Sequence, residues 1–159
     1  MTQSLISFLQ KKPLVAILRG VQANEIISIA RVLVDSGFSI IEVPLNSPDP
    51  LVSITNLSSE FGEKILIGTG TVPQKKIDVL DIKNAGAKLA VAPNANPEVI
   101  TATKDGGLIT IPDIATPTEA FAAISLGADA LKLFPAESAP PEVLKPLKPY
   151  YPNLFPCFL

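Results

Sequence analysis

Apolar positions along this chain alternate between two spacings. Short, nearly continuous apolar runs fall at 14–18, 39–43, 64–68, 88–92, 108–111 and within 128–135. They have strand length and end at Gly or Pro. Between them lie longer stretches at 24–36, 48–61, 74–85, 96–104, 116–126 and 140–149, where apolar residues recur at helical spacing. Helix 24–36 carries Ile26, Ile27, Ile29, Ala30, Val32, Leu33 and Val34, which predicts a wide buried face, and Gly37 suits its C-terminal cap. Pro48 is placed near the first turn of helix 48–61. Thr116-Pro117-Thr118-Glu119 reads as a capping box opening helix 116–126. Residues 1–12 suggest a short helix or arm with Leu5, Ile6, Phe8 and Leu9 on one side, and 153–158 suggest the start of a seventh strand.

Strand then helix, repeated about every 20–25 residues, means a parallel sheet with right-handed crossovers. Strands that are apolar throughout fit burial on both faces. No Gly-x-Gly-x-x-Gly turn follows the first strand, which favours a (βα)8 TIM-type barrel over a dinucleotide-binding sheet. A flavodoxin-like open sheet is the simpler alternative, since it needs only about five strands. Complete barrels usually need at least ~200 residues. The expected fold is therefore an incomplete barrel: about six βα units plus the start of strand seven, in a single domain spanning 1–159.

Composition narrows the chemistry. With 47% hydrophobic residues the chain has enough apolar surface for a real core. A net charge of −2 argues against nucleic acid or an anionic membrane as partner. Absence of Trp, with only two Tyr, argues against base stacking. Histidine is absent, which removes Ser-His and Cys-His nucleophile pairs and imidazole zinc sites. A single cysteine, Cys157, fits a reduced, cytoplasmic setting. The opening Met1-Thr2-Gln3-Ser4-Leu5-Ile6 does not read as a secretory signal, and no apolar run approaches the roughly 20 residues of a membrane helix.

The chemistry-bearing residues stand out against this apolar background. In the sixth strand Ala130, Lys132 and Phe134 share one face, and Leu131 and Leu133 take the other. With the leucines packed on helices, Lys132 points into the barrel. A buried lysine is costly unless paired or deprotonated, and lowering its proton affinity would make it a nucleophilic amine. Ile40 and Glu42 likewise share the inward face of the second strand, and Val15, Ile17 and Arg19 that of the first. Three charged residues thus sit at or near strand C-terminal ends, the catalytic face of a barrel. The plainer explanation is a buried Lys132–Glu42 ion pair, with Arg19 a surface charge. Gly68-Thr69-Gly70-Thr71 is read as the loop after strand three, able to cradle an anion, though a tight turn would look the same. Pro93-Asn94, Pro112-Asp113 and Pro135 read as strand ends.

Five segments together carry a resemblance. They are Ile17-Leu18-Arg19-Gly20, Ile41-Glu42-Val43-Pro44-Leu45-Asn46-Ser47, Gly68-Thr69-Gly70-Thr71-Val72, Ala115-Thr116-Pro117-Thr118-Glu119 and Leu131-Lys132-Leu133-Phe134-Pro135-Ala136-Glu137. In this order the chain resembles the KDPG/KHG aldolase family of class I pyruvate aldolases, most of all its 2-dehydro-3-deoxy-6-phosphogalactonate branch. The resemblance implies Lys132 as Schiff-base lysine and Glu42 as general acid/base. It implies substrate binding by Thr71 with the Gly70 backbone, by Arg19, by Asn46 at the position where the phosphogluconate branch has an arginine, and by Pro93 after strand four. Asn94 stands where a glycine is common. It further implies aldol cleavage of a phosphorylated keto-deoxy sugar acid to pyruvate and glyceraldehyde 3-phosphate, no cofactor or metal, and a homotrimer. The family's phosphate loops after strands seven and eight have no counterpart in these 159 residues. A weakly active or inactive remnant that acts by oligomerisation or partner binding is the competing expectation. An unrelated phosphate-binding barrel, such as an isomerase or synthase, is a third.

Overall fold

The computed structural model describes residues 5–72, 79–138, 142, 145, 149 and 156–158. Seven strands form one sheet: β1 (Ala16–Ile17), β2 (Ile40–Pro44), β3 (Leu66–Gly70), β4 (Leu89–Ala92), β5 (Ile109–Ile114), β6 (Leu131–Leu133) and β7 (Pro156–Phe158). Each pairs in parallel with the next, in the order β1-β2-β3-β4-β5-β6-β7. A flavodoxin-like sheet would place β1 between later strands; sequential order is that of a (βα)8 barrel. The fold is thus an incomplete TIM-type barrel. Among the described residues six helices lie between or before the strands: α1 (Leu5–Lys11), α2 (Ile26–Asp35), α3 (Pro50–Phe61), α4 (Val79–Asn84), α5 (Pro97–Asp105) and α6 (Pro117–Ser125). Most of the expected helix at 140–149, and residues 74–78 of the expected helix 74–85, lie outside the described residues.

Strand alternation divides the core as period-two spacing requires. Ile41, Val43 and Ile67 face outward and pack with Ile26, Ala30, Ile54, Leu57 and Phe61 of α2 and α3. Ile40, Leu66, Leu89, Val91, Ile111 and Ala130 face inward and pack with one another. Leu131 and Leu133 join α6 through Ala120 and Ala123. Each such large aliphatic side chain contributes about 1.5–3 kcal/mol by burial. Helix α1 closes the N-terminal end of the barrel with Leu5, Phe8 and Leu9, and Ser39 Oγ donates to the Phe8 carbonyl at 3.1 Å. Ile6, expected on that buried side, is instead exposed.

Several boundaries differ from the sequence pattern. Helix α2 has a narrower buried face than its apolar count suggests: Ile26 and Ala30 are fully buried, while Val32 and Ile29 are exposed. Helix α3 starts at Pro50, after Asp49, and not at Pro48. Strand β3 runs through Thr69-Gly70, which the sequence pattern placed in a loop; Thr69 Oγ1 donates to the Val43 carbonyl at 3.2 Å. Strand β5 runs through Pro112-Asp113. The missing Pro N–H is tolerated because Pro112 sits where ladders change. The pairing with β4 ends at Ala92–Pro112, and the pairing with β6 begins at Asp113–Lys132.

The capping box of α6 forms as the sequence predicts. Thr116 Oγ1 accepts from the Glu119 N–H at 3.3 Å, and Glu119 Oε2 accepts from the Thr116 N–H at 2.9 Å. These bonds, led by that from the Ala115 N–H, hold the Glu119 carboxyl below its ordinary range. Thr116→Ala is expected to destabilise the fold by about 1 kcal/mol. Thermal unfolding should show it as a Tm lowered by about 2–4 °C.

Candidate active site

Ile111 faces inward, so alternation along β5 also turns Asp113 inward. Its register partner on β6 is Lys132, beside inward-facing Ala130. The two side chains meet: Lys132 Nζ donates to Asp113 Oδ2 at 3.1 Å. Both are sheltered, with side-chain exposures of 14% for Lys132 and 5% for Asp113. Nζ also lies 5.0 Å from the centre of the Phe134 ring, whose negative face favours a cation. Burial raises the proton affinity of Asp113 above the ordinary carboxylate range, and Lys132 opposes that rise by its charge and its hydrogen bond.

Glu42 enters from β2. It is 3% exposed and is held by a register that pairs it with Ile17 on β1 and Gly68 on β3. Space for its carboxylate comes from Gly70 of β3. A Cβ built on Gly70 would overlap Glu42 Oε1, and one on Gly68 would press on Leu89. Burial pushes the Glu42 carboxyl up to about 7; Lys132 lowers it, Asp113 raises it and Arg19 lowers it. Glu42 is thereby poised to gain or lose a proton near neutral pH. Gly70→Ala is expected to displace this carboxylate, and a misplacement on the order of 1 Å can cost about 100-fold in turnover. Steady-state kinetics on the folded variant would measure the loss.

The remaining sequence-named residues frame the opening. Arg19 follows β1, whose neighbour Leu18 donates its N–H to the Glu42 carbonyl at 2.9 Å. Arg19 Nη1 donates to Asn46 Oδ1 at 3.3 Å, so these two exposed polar residues meet at the C-terminal end of β1 and β2. Gly20 N–H donates to the buried Ser47 Oγ at 3.1 Å and fixes the same pair of loops. Thr71, directly after β3, has φ 53°. Such a conformation is unusual for a β-branched residue and costs about 1–3 kcal/mol, a kind of strain that clusters at ligand sites. Gly70 offers less backbone than expected, because its carbonyl already accepts from Leu45 N–H at 2.9 Å. Pro93 stands exposed just beyond β4, while Asn94 Oδ1 is buried without a hydrogen-bond donor among the described residues.

The structure thus brings Lys132 and Glu42 into one electrostatic cluster, but the ion pair of Lys132 is with Asp113. The plainer alternative, a Lys132–Glu42 ion pair, is corrected in that respect. Asp113 escaped notice because Pro112 looked like a strand end. Continuing the alternation Ile109, Ile111, Asp113 through the proline would have found it. A cleft of about 690 Å³ at the opposite end of the barrel is lined by Phe8, Leu66, Lys83, Lys88 and Leu108 among others. Its lysine amines are committed to the Gly106 and Gly62 carbonyls, each at 3.0 Å. That cleft holds no group comparable to the Lys132 cluster.

The family model for KDPG and KHG aldolase matches residues 5–157. The chain belongs to the KDPG and KHG aldolase family. It is 41% identical over 144 residues to the 2-dehydro-3-deoxy-6-phosphogalactonate aldolase of Escherichia coli (strain K12), covering 90% of this chain and 69% of that one. A probable 2-dehydro-3-deoxy-6-phosphogalactonate aldolase of Rhizobium meliloti (strain 1021) is 39% identical over 143 residues, covering 90% of this chain and 67% of the relative. Among solved structures, a native KDPGal structure superposes with a TM-score of 0.85 at 39% identity, over 92% of this chain and 71% of that one. Membership in this aldolase family makes the chain a lyase by kinship. No helix among the described residues is long and apolar enough to cross a membrane.

Proposed function

We propose that this chain cleaves 2-dehydro-3-deoxy-6-phosphogalactonate, or its gluconate epimer, to pyruvate and D-glyceraldehyde 3-phosphate through an imine on Lys132. The observation that carries this reading is the placement of the Lys132 amine. It lies inside the barrel at the strand C-terminal ends, in one cluster with two buried carboxylates. The two relatives above bear the phosphogalactonate name, which favours the galactonate epimer.

In this reading the Lys132 amine attacks the C2 ketone, and loss of water gives an iminium. The iminium is an electron sink for the C3–C4 bond. Glu42, ionised as pH rises through about 7, takes the C4 hydroxyl proton, directly or through a water. The bond breaks to an enamine and the aldehyde. Reprotonation at C3 and hydrolysis release pyruvate and the free amine. Thr71 and Gly70 are assigned to the pyruvyl carboxylate, Arg19 and Asn46 to the polar groups nearer the opening, and Pro93 to the wall after β4. Arg19 and Asn46 already sit within 3.3 Å of each other, a spacing suited to sharing one substrate oxygen. In this reading residues 1–159 form a single aldolase-type domain that needs no cofactor or metal, and the family resemblance adds a homotrimer acting in the cytoplasm.

The test is to supply each epimer and follow both products. Pyruvate and glyceraldehyde 3-phosphate in equal amounts, faster from the galactonate, would support the proposal. Folded protein that releases neither product from either epimer would refute it.

A further inference from the structure

We propose that Asp113 is a catalytic residue that carries protons between the Lys132 amine and the C2 oxygen during imine formation, leaving Glu42 to the C4 hydroxyl. This inference rests on the Schiff-base reading above and assigns a second carboxylate to it.

The geometry separates the two carboxylates. Asp113 is the register partner of Lys132 and accepts from Nζ at 3.1 Å. Among the described residues no hydrogen bond joins Nζ to Glu42, which instead lies against the Cα of Gly70 on β3. The Asp113 carboxylate is only half used. Oδ2 holds the amine, while Oδ1 is buried without a hydrogen-bond donor among the described residues. A structural ion pair alone gives no reason to bury that second oxygen unpaired, since buried polar atoms are normally satisfied. The hydroxyl forming at C2, on a carbon bonded to Nζ, would arrive beside this carboxylate and donate its O–H to Oδ1. Burial also raises the proton affinity of Asp113, which brings it closer to that of an amine and eases transfer in both directions.

The proton balance requires such a carrier. The ammonium holds three protons on Nζ and the iminium keeps one. Two protons must therefore leave Nζ, and both depart in the water formed from the C2 oxygen. Asp113 takes the first, freeing the lone pair that forms the Nζ–C2 bond while the C=O π electrons move onto oxygen. Asp113 returns that proton to the oxygen, giving a carbinolamine. It then takes the second proton from Nζ and delivers it to the hydroxyl, which leaves as water as the C=N bond forms. The carboxylate ends as it began. The charged groups facing the pair are Lys132 itself on β6, Glu42 on β2 and, beside Glu42, Arg19 after β1.

The test is the rate of borohydride trapping at saturating pyruvate, measured across pH for wild type, Asp113→Asn and Asp113→Gly. Loss of the carrier should lower the plateau rate by about 100-fold or more. Added formate should restore part of the rate in Asp113→Gly, a response that a purely structural role would not give. Circular dichroism confirms folding. Trapping in both folded variants within twofold of wild type would overturn the role of Asp113 alone. Absence of any adduct in the wild type would overturn the Schiff-base reading, and this inference with it.

Discussion

Lys132→Ala is expected to reduce aldol cleavage to the rate in buffer, a loss on the order of 10⁶-fold if the covalent path supplies the low end of typical enzyme acceleration. No other amine can substitute for it among the described neighbours of Asp113 and Glu42, where Arg19 is the other cation. The substitution also removes the counter-charge from a carboxylate that is 5% exposed. Asp113 would then respond by keeping its proton, since an unpaired charge there is costly. Lys132→Arg separates the two effects. A guanidinium preserves the positive charge beside Asp113 but is not a nucleophile at neutral pH. Lys132→Arg is therefore expected to be as inactive as Lys132→Ala while melting closer to wild type. Activity that survives either substitution would refute a Schiff base on Lys132.

Glu42→Gln should lower turnover by about 10²–10⁴-fold and remove a limb from the pH profile. The carboxyl lies at about 7, so cleavage, which needs the ionised form, should rise with pH through that value in kcat/KM. The reverse condensation needs the protonated form and should fall through the same value. Stability gives an independent check with the opposite sign. A folded value near 7 against 4.5 for the free group means that the native state holds a proton the unfolded chain releases. Its penalty on folding is absent below about pH 4.5, grows as pH rises and is complete above about pH 7. At 1.36 kcal/mol per pH unit the gap amounts to about 3 kcal/mol. Glu42→Gln is then expected to be more stable than wild type at pH 8 and similar at pH 4, by denaturant titration. A gain in stability at the cost of activity is the usual behaviour of a buried catalytic acid.

Much of this molecule could be read from residue spacing. Alternating apolar runs gave the strand–helix repeat, and period two along β2 and β6 correctly turned Glu42 and Lys132 inward. Capping chemistry at Thr116 and Glu119 was local, so four residues sufficed to predict it. Features that depend on neighbouring strands were not legible. Pro112 looked like a terminator because a lone strand loses a ladder bond at proline. Only the handover from β4 to β6 shows why it is tolerated, and Asp113 was hidden with it. Thr69 and Gly70 looked like loop because glycine weakens a strand. Here Gly70 is required by the Glu42 carboxylate arriving from β2. Val32 and Ile29 fit the apolar pattern of α2 but face outward, since the apolar stretch is broader than the surface available to cover it. The left-handed φ of Thr71 has no sequence signature, as threonine is among the less expected residues there.

The proposed cleavage depends on an imine between the Lys132 amine and pyruvate. Borohydride reduction in the presence of pyruvate, followed by peptide mass mapping, tests it directly. A reduced pyruvyl adduct is expected on the peptide carrying Lys132, and none on that peptide without pyruvate or in Lys132→Arg. Folded wild-type protein that gains no mass at Lys132 under these conditions would contradict it.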